Sequence, residues 1–579
     1  MKIKVPNPET LSMLFIVALW GMMIAAANPV GDFPLIDDWA YAESVRALLY
    51  QHRLVISDWS AMNLLTQVVW GWFFSWLLEP SFTVLRMSVL VLGLLGVMTA
   101  FRLSREAGVP LPLALLGAVL LMVNPVYFTM SNTFMTDVPF FAFSVMSLLF
   151  LARAVHSDRT QDIVAGTVML VLALLIRQLG FAIAIAYALA YMAGRRLSLN
   201  AITRAVLPLL ACLLVQLLYR AWLDVHHQLP AMHGYQIDQI RRAFSLPLLD
   251  FVTVFGLNVF KTLLSFALFL LPLILLIFFY LNKKIDTVTA CLLAIGTLLL
   301  YYSLRLAGMQ LFPLQSYLEG AFGFGGNILS AFGVGPSLQY GAVGYFPEYR
   351  ITVGYCWLFI GLLIVFAAGL MLHFLFTAVR GLWRSRDKIA KVWFCEQAED
   401  MRKIRLYILF GATALIYCVP TFLLPTLYDR YLLLPMLAAS FLMQLKVSAA
   451  TTLTHELSRS KVAVVIVITV SGAIMTSLAA HDYLAWNRVR WAALDDLVKR
   501  QGVAPERIDG GFEFNGMYLF SKDHLKPRPK GWWVEDNEYL VAFSPVYFTI
   551  VKGYTLEASY PVEAYLPFSP QHIHVLHRK

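Results

Sequence analysis

In this 579-residue sequence, the residues best suited to take part in a chemical reaction lie in two short acidic segments. The first places Asp37 and Asp38 side by side, shortly after the first long apolar stretch. Because adjacent carboxylates repel each other, we expect the pKa of at least one to be raised. Such a pair can serve as a general base, bind a metal ion or cap the helix predicted over 39–50. The spacing alone leaves function and capping equally open.

The second acidic segment is a short turn that reads Asn132-Thr-Phe-Met-Thr136-Asp137-Val-Pro139. Asp137 stands two residues before a proline, and proline is favoured in the first turn of a helix. The local pattern therefore favours a helix cap at Asp137 over a functional carboxylate.

Membrane-spanning helices must position these carboxylates. The chain is 59% hydrophobic and only 14% charged, whereas soluble domains are about a quarter charged. Its apolar runs are continuous and lack the alternation of β-barrel strands, so helices are the predicted spans. We predict a polytopic α-helical membrane protein with about thirteen spans. They fall near 11–27, 83–101, 111–128, 139–154, 163–177, 178–194, 203–222, 256–280, 287–304, 351–379, 404–424, 430–446 and 461–480.

The net charge of +10 reports the orientation of the chain rather than an affinity for nucleic acid. Lys and Arg concentrate in short loops on one side of the predicted spans, which is typical of cytoplasmic loops. We therefore predict a cytoplasmic N-terminus and an extracytoplasmic C-terminus, with no nucleic acid as partner. The first span, with Ala25-Ala26-Ala27 at its end, also fits a cleavable signal peptide. A retained anchor is favoured because the thirteen-span count depends on it.

Two domains are predicted. Residues 1–480 form the transmembrane domain, whose external loop 28–82 carries the acidic pair, and residues 481–579 form a small α+β domain outside the cytoplasm. Stretches 42–53 and 63–78 of that loop fit helices lying along the interface. The external segment 305–350 is rich in Gly and aromatic residues, which favours a mobile loop or lid.

A third motif completes a family resemblance. Tyr428-Asp-Arg430-Tyr431-Leu-Leu-Leu-Pro435 precedes a late span. Together with the acidic pair and the Thr-Asp-x-Pro turn, it resembles membrane glycosyltransferases of the GT-C type. More narrowly, the chain is similar to bacterial relatives of protein O-mannosyltransferases and lipid A aminoarabinose transferases. The resemblance covers most of residues 1–450 and implies a bacterial inner-membrane protein.

The resemblance implies a reaction in which a sugar on a polyprenyl phosphate is transferred, with inversion, to an acceptor hydroxyl on the outer face of the membrane. Asp37 matches the family's catalytic base, and Arg430 matches a cation before a span. Asp38, Asp137, Tyr431 and Arg177 are candidate supporting or substrate-binding residues. From position alone, Arg177, Arg86 and Lys261 fit side chains that snorkel to the interface.

The sequence departs from the family pattern at two places. Asp38 stands where the family usually has Glu, and the His-Pro-Pro element of many relatives is missing from 57–63. No role is transferred to residues 57–63 for that reason. His226, His227 and His233 fit a solvated loop better than a metal site. No metal ligand or firm cofactor is predicted, and the need for a divalent cation stays open.

Two other classes of function remain open at the level of sequence. One is a transporter or flippase for a lipid-linked glycan, and the other is a non-catalytic membrane scaffold that binds glycan. The predicted spans contain no Asp or Glu, which disfavours a proton-driven carrier. The acceptor is a lipid, a polysaccharide or a protein, and membrane lipids surround the spans. Replacement of Asp37 would abolish an enzyme and matter little to a scaffold.

Overall fold

The computed structural model describes most of the chain. The described residues are 7–226, 229–281, 287–306, 328–330, 333–336, 361–377, 380, 401–425, 427–448, 458–521, 532–543, 553–567 and 569–579. The predicted lid 305–350 therefore lies largely outside the described residues. Two short strands are described within it, β1 (Leu329–Ser330) and β2 (Gly333–Val334), which pair antiparallel.

Helices dominate the described residues, as the apolar runs predict. The first group is α1 (Pro8–Ala27), α2 (Asp38–Gln51), α3 (Leu65–Leu78), α4 (Phe82–Glu106), α5 (Leu111–Met122), α6 (Pro125–Ser131), α7 (Asp137–Ser157), α8 (Thr160–Leu174), α9 (Phe181–Met192) and α10 (Leu199–Val225). The second group is α11 (Tyr235–Phe244), α12 (Leu248–Phe269), α13 (Leu271–Leu281), α14 (Thr287–Leu306), α15 (Gly361–Thr377), α16 (Met401–Phe422), α17 (Leu433–Ser448), α18 (Arg459–Asp495) and α19 (Phe512–Leu519).

The predicted class of a polytopic helical membrane protein is confirmed. Eight helices within the described residues are long and apolar enough to cross a membrane, and the pair α5 and α6, bent by 61°, makes a ninth candidate. The count of thirteen stays a prediction, because several predicted spans are short apolar helices or fall partly outside the described residues. The span predicted over 256–280 is interrupted at Leu270, between α12 and α13.

The predicted small C-terminal α+β domain is present. Its sheet has the order β3 (Ile508–Asp509), β4 (Tyr539–Phe543), β6 (His572–Arg578) and β5 (Tyr554–Pro561). Strands β3 and β4 are parallel, and the other neighbours are antiparallel. Helix α19 follows β3 directly.

One helix joins the membrane bundle to this domain. Helix α18 runs without a break from Arg459 to Asp495 and continues as a π-helical turn to Arg500. The predicted domain boundary at 480 and 481 falls inside this helix, and the division into two domains stays a prediction. Because the helix is continuous, it fixes where the C-terminal domain begins relative to the bundle.

Candidate functional site

Three chain segments that are distant in sequence meet at one end of the bundle, which we call the loop end because it carries residues 28–81 between α1 and α4. Asp37 immediately precedes α2, and Asp137 is the first residue of α7. Arg430 lies in the 3-10 turn Asp429–Leu432, just before α17. The side chains of these three residues form one cluster.

Asp37 is the partly exposed carboxylate of the acidic pair. Its Oδ1 accepts a hydrogen bond from the indole N–H of Trp59 at 2.9 Å. Asp37 occupies the N-cap position of α2, but its side chain makes no capping hydrogen bond. The capping interpretation of Asp37 is therefore wrong. Burial raises the pKa of Asp37 above its usual value, and the Arg430 guanidinium and the Trp59 N–H oppose that rise.

Asp38 has the opposite environment although it is the next residue. It is fully buried, and its two carboxylate oxygens accept the backbone N–H groups of Phe134 and Leu35 at 2.8 and 3.3 Å. Burial raises the pKa of Asp38 to about 7, opposed by Arg86 and by these N–H groups. Asp38 thus joins the acidic loop to the turn before α7. This contact supports the conformation of Asp37.

A buried ion pair lies behind Asp37. The Arg177 Nη2 atom is 2.8 Å from Asp137 Oδ1, and the two side chains are 3% and 0% exposed. Arg177 Nε also donates to the Thr136 hydroxyl at 2.8 Å. The helix-cap interpretation of Asp137 is wrong, since the N-cap of α7 is Thr136 and no side-chain cap forms there. The snorkelling interpretation of Arg177 is also wrong, because the guanidinium is paired inside the protein.

Arg430 is the less buried cation of the cluster, with a side chain 9% exposed against 3% for Arg177. The Arg430 Nε atom lies 3.9 Å from Asp137 Oδ1, whereas Arg177 Nη2 lies 2.8 Å from the same oxygen. Its guanidinium stacks over the Tyr428 ring at 4.8 Å and lies 5.9 Å from the Tyr431 ring. The Tyr431 ring is also 5.4 Å from the Arg177 guanidinium. Tyr431 therefore sits between the two cations, where it orients both.

Three further residues of the site were not predicted from the sequence. Trp59 lies in the segment 57–63 to which no role was transferred. Tyr41, one turn into α2, is buried, and burial together with the Asp37 carboxylate raises its pKa well above the usual value. Asp429 accepts the backbone N–H groups of Ile328 and Leu329 and so ties the β1 strand to the Arg430 turn. Only the adjacency of Asp429 to Arg430 could have singled it out.

Two remaining cation candidates lie apart from this cluster. Arg86 is fully buried and donates to the backbone carbonyls of Pro29, Gly31 and Phe33. It therefore does not snorkel but organises the start of the acidic loop. Lys261, on α12, is partly buried and stays a candidate for snorkelling.

Metal ligation has no obvious site in the part of the chain that the structure describes. No group of three or more His, Cys, Asp or Glu side chains there could hold an ion. His226 is exposed and its Nδ1 lies 2.8 Å from the Trp222 carbonyl oxygen, while His227 lies outside the described residues.

The cluster combines the parts that a group transfer to a hydroxyl requires. A partly exposed carboxylate can accept a proton, and a partly exposed guanidinium beside it can stabilise a departing anion. The buried Asp137–Arg177 pair stabilises the structure around these two groups and takes no direct part in that chemistry. The class defined by fold and site is a multi-pass membrane protein with a cluster of carboxylate and guanidinium side chains at one end of the bundle.

Comparisons with known proteins agree with this class. Residues 68–222 match the model of the dolichyl-phosphate-mannose-protein mannosyltransferase family. The match confirms the resemblance to GT-C type membrane glycosyltransferases drawn from the sequence. It begins within α3, ends within α10 and includes Asp137 and Arg177. A search among curated proteins gave no significant match.

Solved structures give weaker likenesses. ArnT from Cupriavidus metallidurans bound to undecaprenyl phosphate is 13% identical, over 98% of this chain and 97% of that chain, with a TM-score of 0.38. The protein O-mannosyltransferase Pmt1-Pmt2 complex from S. cerevisiae, bound to the sugar donor, is 16% identical with a TM-score of 0.31. That match covers 39% of this chain and 34% of the yeast chain. These low TM-scores describe a limited similarity of shape, and the site assignment does not depend on them.

Proposed function

We propose that this chain is an inverting glycosyltransferase of the bacterial inner membrane. It moves a sugar from a polyprenyl-phosphate donor to the hydroxyl of a lipid, polysaccharide or protein on the outer face. Its N-terminus is cytoplasmic, and the loop end and C-terminal domain face outward. The observation that carries the proposal is the partly exposed Asp37 carboxylate beside the Arg430 guanidinium, in front of a buried ion pair. The family match supports a donor on a polyprenyl phosphate.

The proposed mechanism gives Asp37 and Arg430 one task each. Asp37 takes the proton of the acceptor hydroxyl as that oxygen attacks the anomeric carbon. The bond between the anomeric carbon and the phosphate oxygen breaks on the opposite side, which inverts the anomeric centre. The negative charge that develops on the lipid phosphate is stabilised by Arg430.

The buried groups prepare Asp37 and Arg430 for these tasks. Arg177 pairs with Asp137 at 2.8 Å, and Arg430 lies 3.9 Å from the same carboxylate, so Asp137 helps to place both guanidinium groups. Trp59 directs Asp37 through its hydrogen bond. Asp38 fixes the loop by binding two backbone N–H groups. These contacts hold the site before substrate arrives, which lowers the reorganisation that transfer needs.

Transfer of radiolabelled sugar tests the proposal. Membranes that contain the wild type are incubated with a panel of polyprenyl-phosphate sugars, and labelled acceptors are separated and counted. We expect Asp37→Asn to lower transfer by at least about 100-fold at equal protein level, because the base is lost. Asp32→Asn is the matched control, because Asp32 lies in the same loop but outside the cluster. Its carboxylate accepts a hydrogen bond of 2.7 Å from the Phe82 backbone N–H. Equal transfer by wild type and Asp37→Asn would exclude Asp37 as the base.

A further inference from the structure

The residue directly before Asp37 has an unfavourable backbone conformation. Ile36 has φ of 56°, in the left-handed region that β-branched residues rarely adopt. Its side chain is 5% exposed, so it is packed rather than free to relax. Such a conformation persists only where the surrounding contacts hold it. The direction in which the Asp37 side chain leaves the backbone depends in part on the conformation of Ile36.

The contact that holds Ile36 comes from the C-terminal domain. Its backbone N–H donates to Glu513 Oε1 at 3.1 Å, across 477 positions of sequence. The other oxygen of Glu513 pairs with Arg490 Nη1 at 2.9 Å, and Arg490 also donates to the Gly510 carbonyl. Arg490 is fully buried and Glu513 is 4% exposed. Glu513 is thus fixed from one side and binds the acidic loop with the other.

The same domain contacts the loop beyond Asp37. Helix α19 packs so closely on α2 that a Cβ atom at Gly516 would lie 2.4 Å from the Trp39 ring. The Trp59 ring, whose N–H binds Asp37, contacts the Phe512 ring with 6.0 Å between centroids. Aromatic packing of this kind is sufficient to dock the domain. A buried ion pair adds a large desolvation cost that docking alone does not require.

We infer that Glu513, fixed by Arg490, is a positioning residue for Asp37: it holds Ile36 in the left-handed conformation that aims the Asp37 carboxylate into the site. The inference rests on the proposed function, because it assigns to the C-terminal domain a part in transfer at that same site. The domain is then a component of the active site in addition to any contact it makes with an acceptor.

Kinetics of Glu513→Gln test the inference in the full-length protein. The Gln amide cannot both accept from Ile36 and receive the Arg490 guanidinium as the carboxylate does. We expect kcat to fall roughly 10- to 100-fold, as for a small misplacement of a catalytic group, while KM for the donor changes less than about twofold, because no group that binds the donor is altered. An unchanged kcat would overturn the inference.

Asp482→Asn is the matched control. Asp482, on α18, accepts the backbone N–H groups of Tyr565 and Leu566 at 2.9 and 2.8 Å, so it also ties the C-terminal domain by carboxylate contacts. Neither of these hydrogen bonds involves Ile36 or Glu513. We expect kcat near that of the wild type. An equal loss in both variants would show that general attachment of the domain matters, not the Ile36 contact, and would overturn the inference.

A rescue experiment isolates the backbone conformation. In the Glu513→Gln background, Ile36→Gly and Ile36→Ala remove nearly the same side-chain volume. Only Gly adopts φ of 56° without a steric cost. We expect the Gly double variant to be several-fold more active than the Ala double variant. Equal activities of the two double variants would overturn the inference.

Hydrogen exchange separates this inference from the proposed function. The amide of Ile36 should exchange faster in Glu513→Gln than in the wild type, and Asp482→Asn should leave it unchanged. Unchanged exchange in Glu513→Gln would overturn the positioning role even if the wild type transfers sugar. Faster exchange together with no transfer by the wild type from any donor supports the hold on Ile36, and the failure then lies with the proposed function.

Discussion

The two ends of the helical bundle carry the same kinds of charged residue in opposite settings. At the loop end, the Arg177–Asp137 pair is 3% and 0% exposed. At the opposite end, Arg153 and Glu106 pair with Nε and Oε2 2.6 Å apart, but these side chains are 34% and 39% exposed. Both ends are linked by α7, since Asp137 begins that helix and Arg153 lies sixteen residues later, about 24 Å along the axis.

Burial, not charge, distinguishes the loop end, where the proposed site lies, from the opposite end. An exposed ion pair contributes little to stability, and its charges report the side of the membrane. A buried pair must overcome the cost of leaving water, so it persists where it organises something else. At the loop end, the buried pair belongs to the same cluster as the partly exposed Asp37 and Arg430.

The largest expected effect is the loss of the buried pair. Arg177→Ala leaves Asp137 charged and buried, and we expect a loss of about 3–5 kcal/mol in the free energy of unfolding. The value should fall toward the lower end, since Arg430 Nε remains 3.9 Å from Asp137. Thermal unfolding in detergent measures it. The double variant Arg177→Met with Asp137→Leu, which removes both charges, should recover most of the loss. A double variant as unstable as the single would show that side-chain packing matters rather than charge.

The next effect concerns Arg430, the less buried cation of the loop end. Arg430→Lys keeps the charge but loses the planar guanidinium that stacks on Tyr428. We expect kcat for transfer to fall roughly 10- to 100-fold, because the charge at the leaving phosphate is misplaced. Arg488→Lys is a control, since Arg488 donates to the Asn28 carbonyl outside the cluster. A wild-type rate for Arg430→Lys would mean that the site requires a positive charge but not the planar guanidinium.

A smaller effect appears in the pH dependence of transfer. The pKa of Asp37 is raised by burial, so activity should fall as pH decreases through a value above the ordinary aspartate range. The Trp59 N–H lowers that pKa by binding the charged form. Trp59→Phe should therefore move the acid limb of the kcat profile to higher pH, by roughly one pH unit. Trp39→Phe is the control, because the Trp39 N–H makes no hydrogen bond among the described residues. Equal shifts in both variants would point to ring packing.

The smallest effect belongs to the opposite end. Arg153→Ala should change the free energy of unfolding by less than about 1 kcal/mol, because the pair with Glu106 is exposed and screened by solvent. Transfer should stay within twofold of the wild type. Unfolding and transfer are measured under the conditions used for Arg177→Ala. A loss as large as that of Arg177→Ala would remove the distinction between the two ends.

Much of the fold and part of the site could be predicted from the sequence. Apolar length predicts the helices, because the chain has no other way to satisfy its backbone in lipid. The meeting of Asp37, Asp137 and Arg430 was expected only through the family resemblance, since their positions along the chain do not reveal proximity. The break at Leu270 was missed because hydropathy is continuous across it.

The errors share one physical cause. Snorkelling of Arg177 and capping by Asp137 are good local explanations for each residue taken alone. The two residues satisfy each other across forty positions of sequence, and no local pattern contains that pairing. Glu513 was not singled out for the same reason, since its partner Ile36 lies at the other end of the chain.

The bond between Ile36 and Glu513 also sets an order of assembly. The acidic loop leaves the ribosome before the C-terminal domain, and the carboxylate that holds Ile36 follows 477 residues later. At about 5–20 residues per second, the loop waits roughly 25–95 s before its partner exists. During that time the bundle can insert helix by helix with an unfinished site. A nascent or truncated chain that stops before Glu513 lacks this contact, so under the positioning role that we propose its Asp37 is not yet aimed and its transfer is slowed.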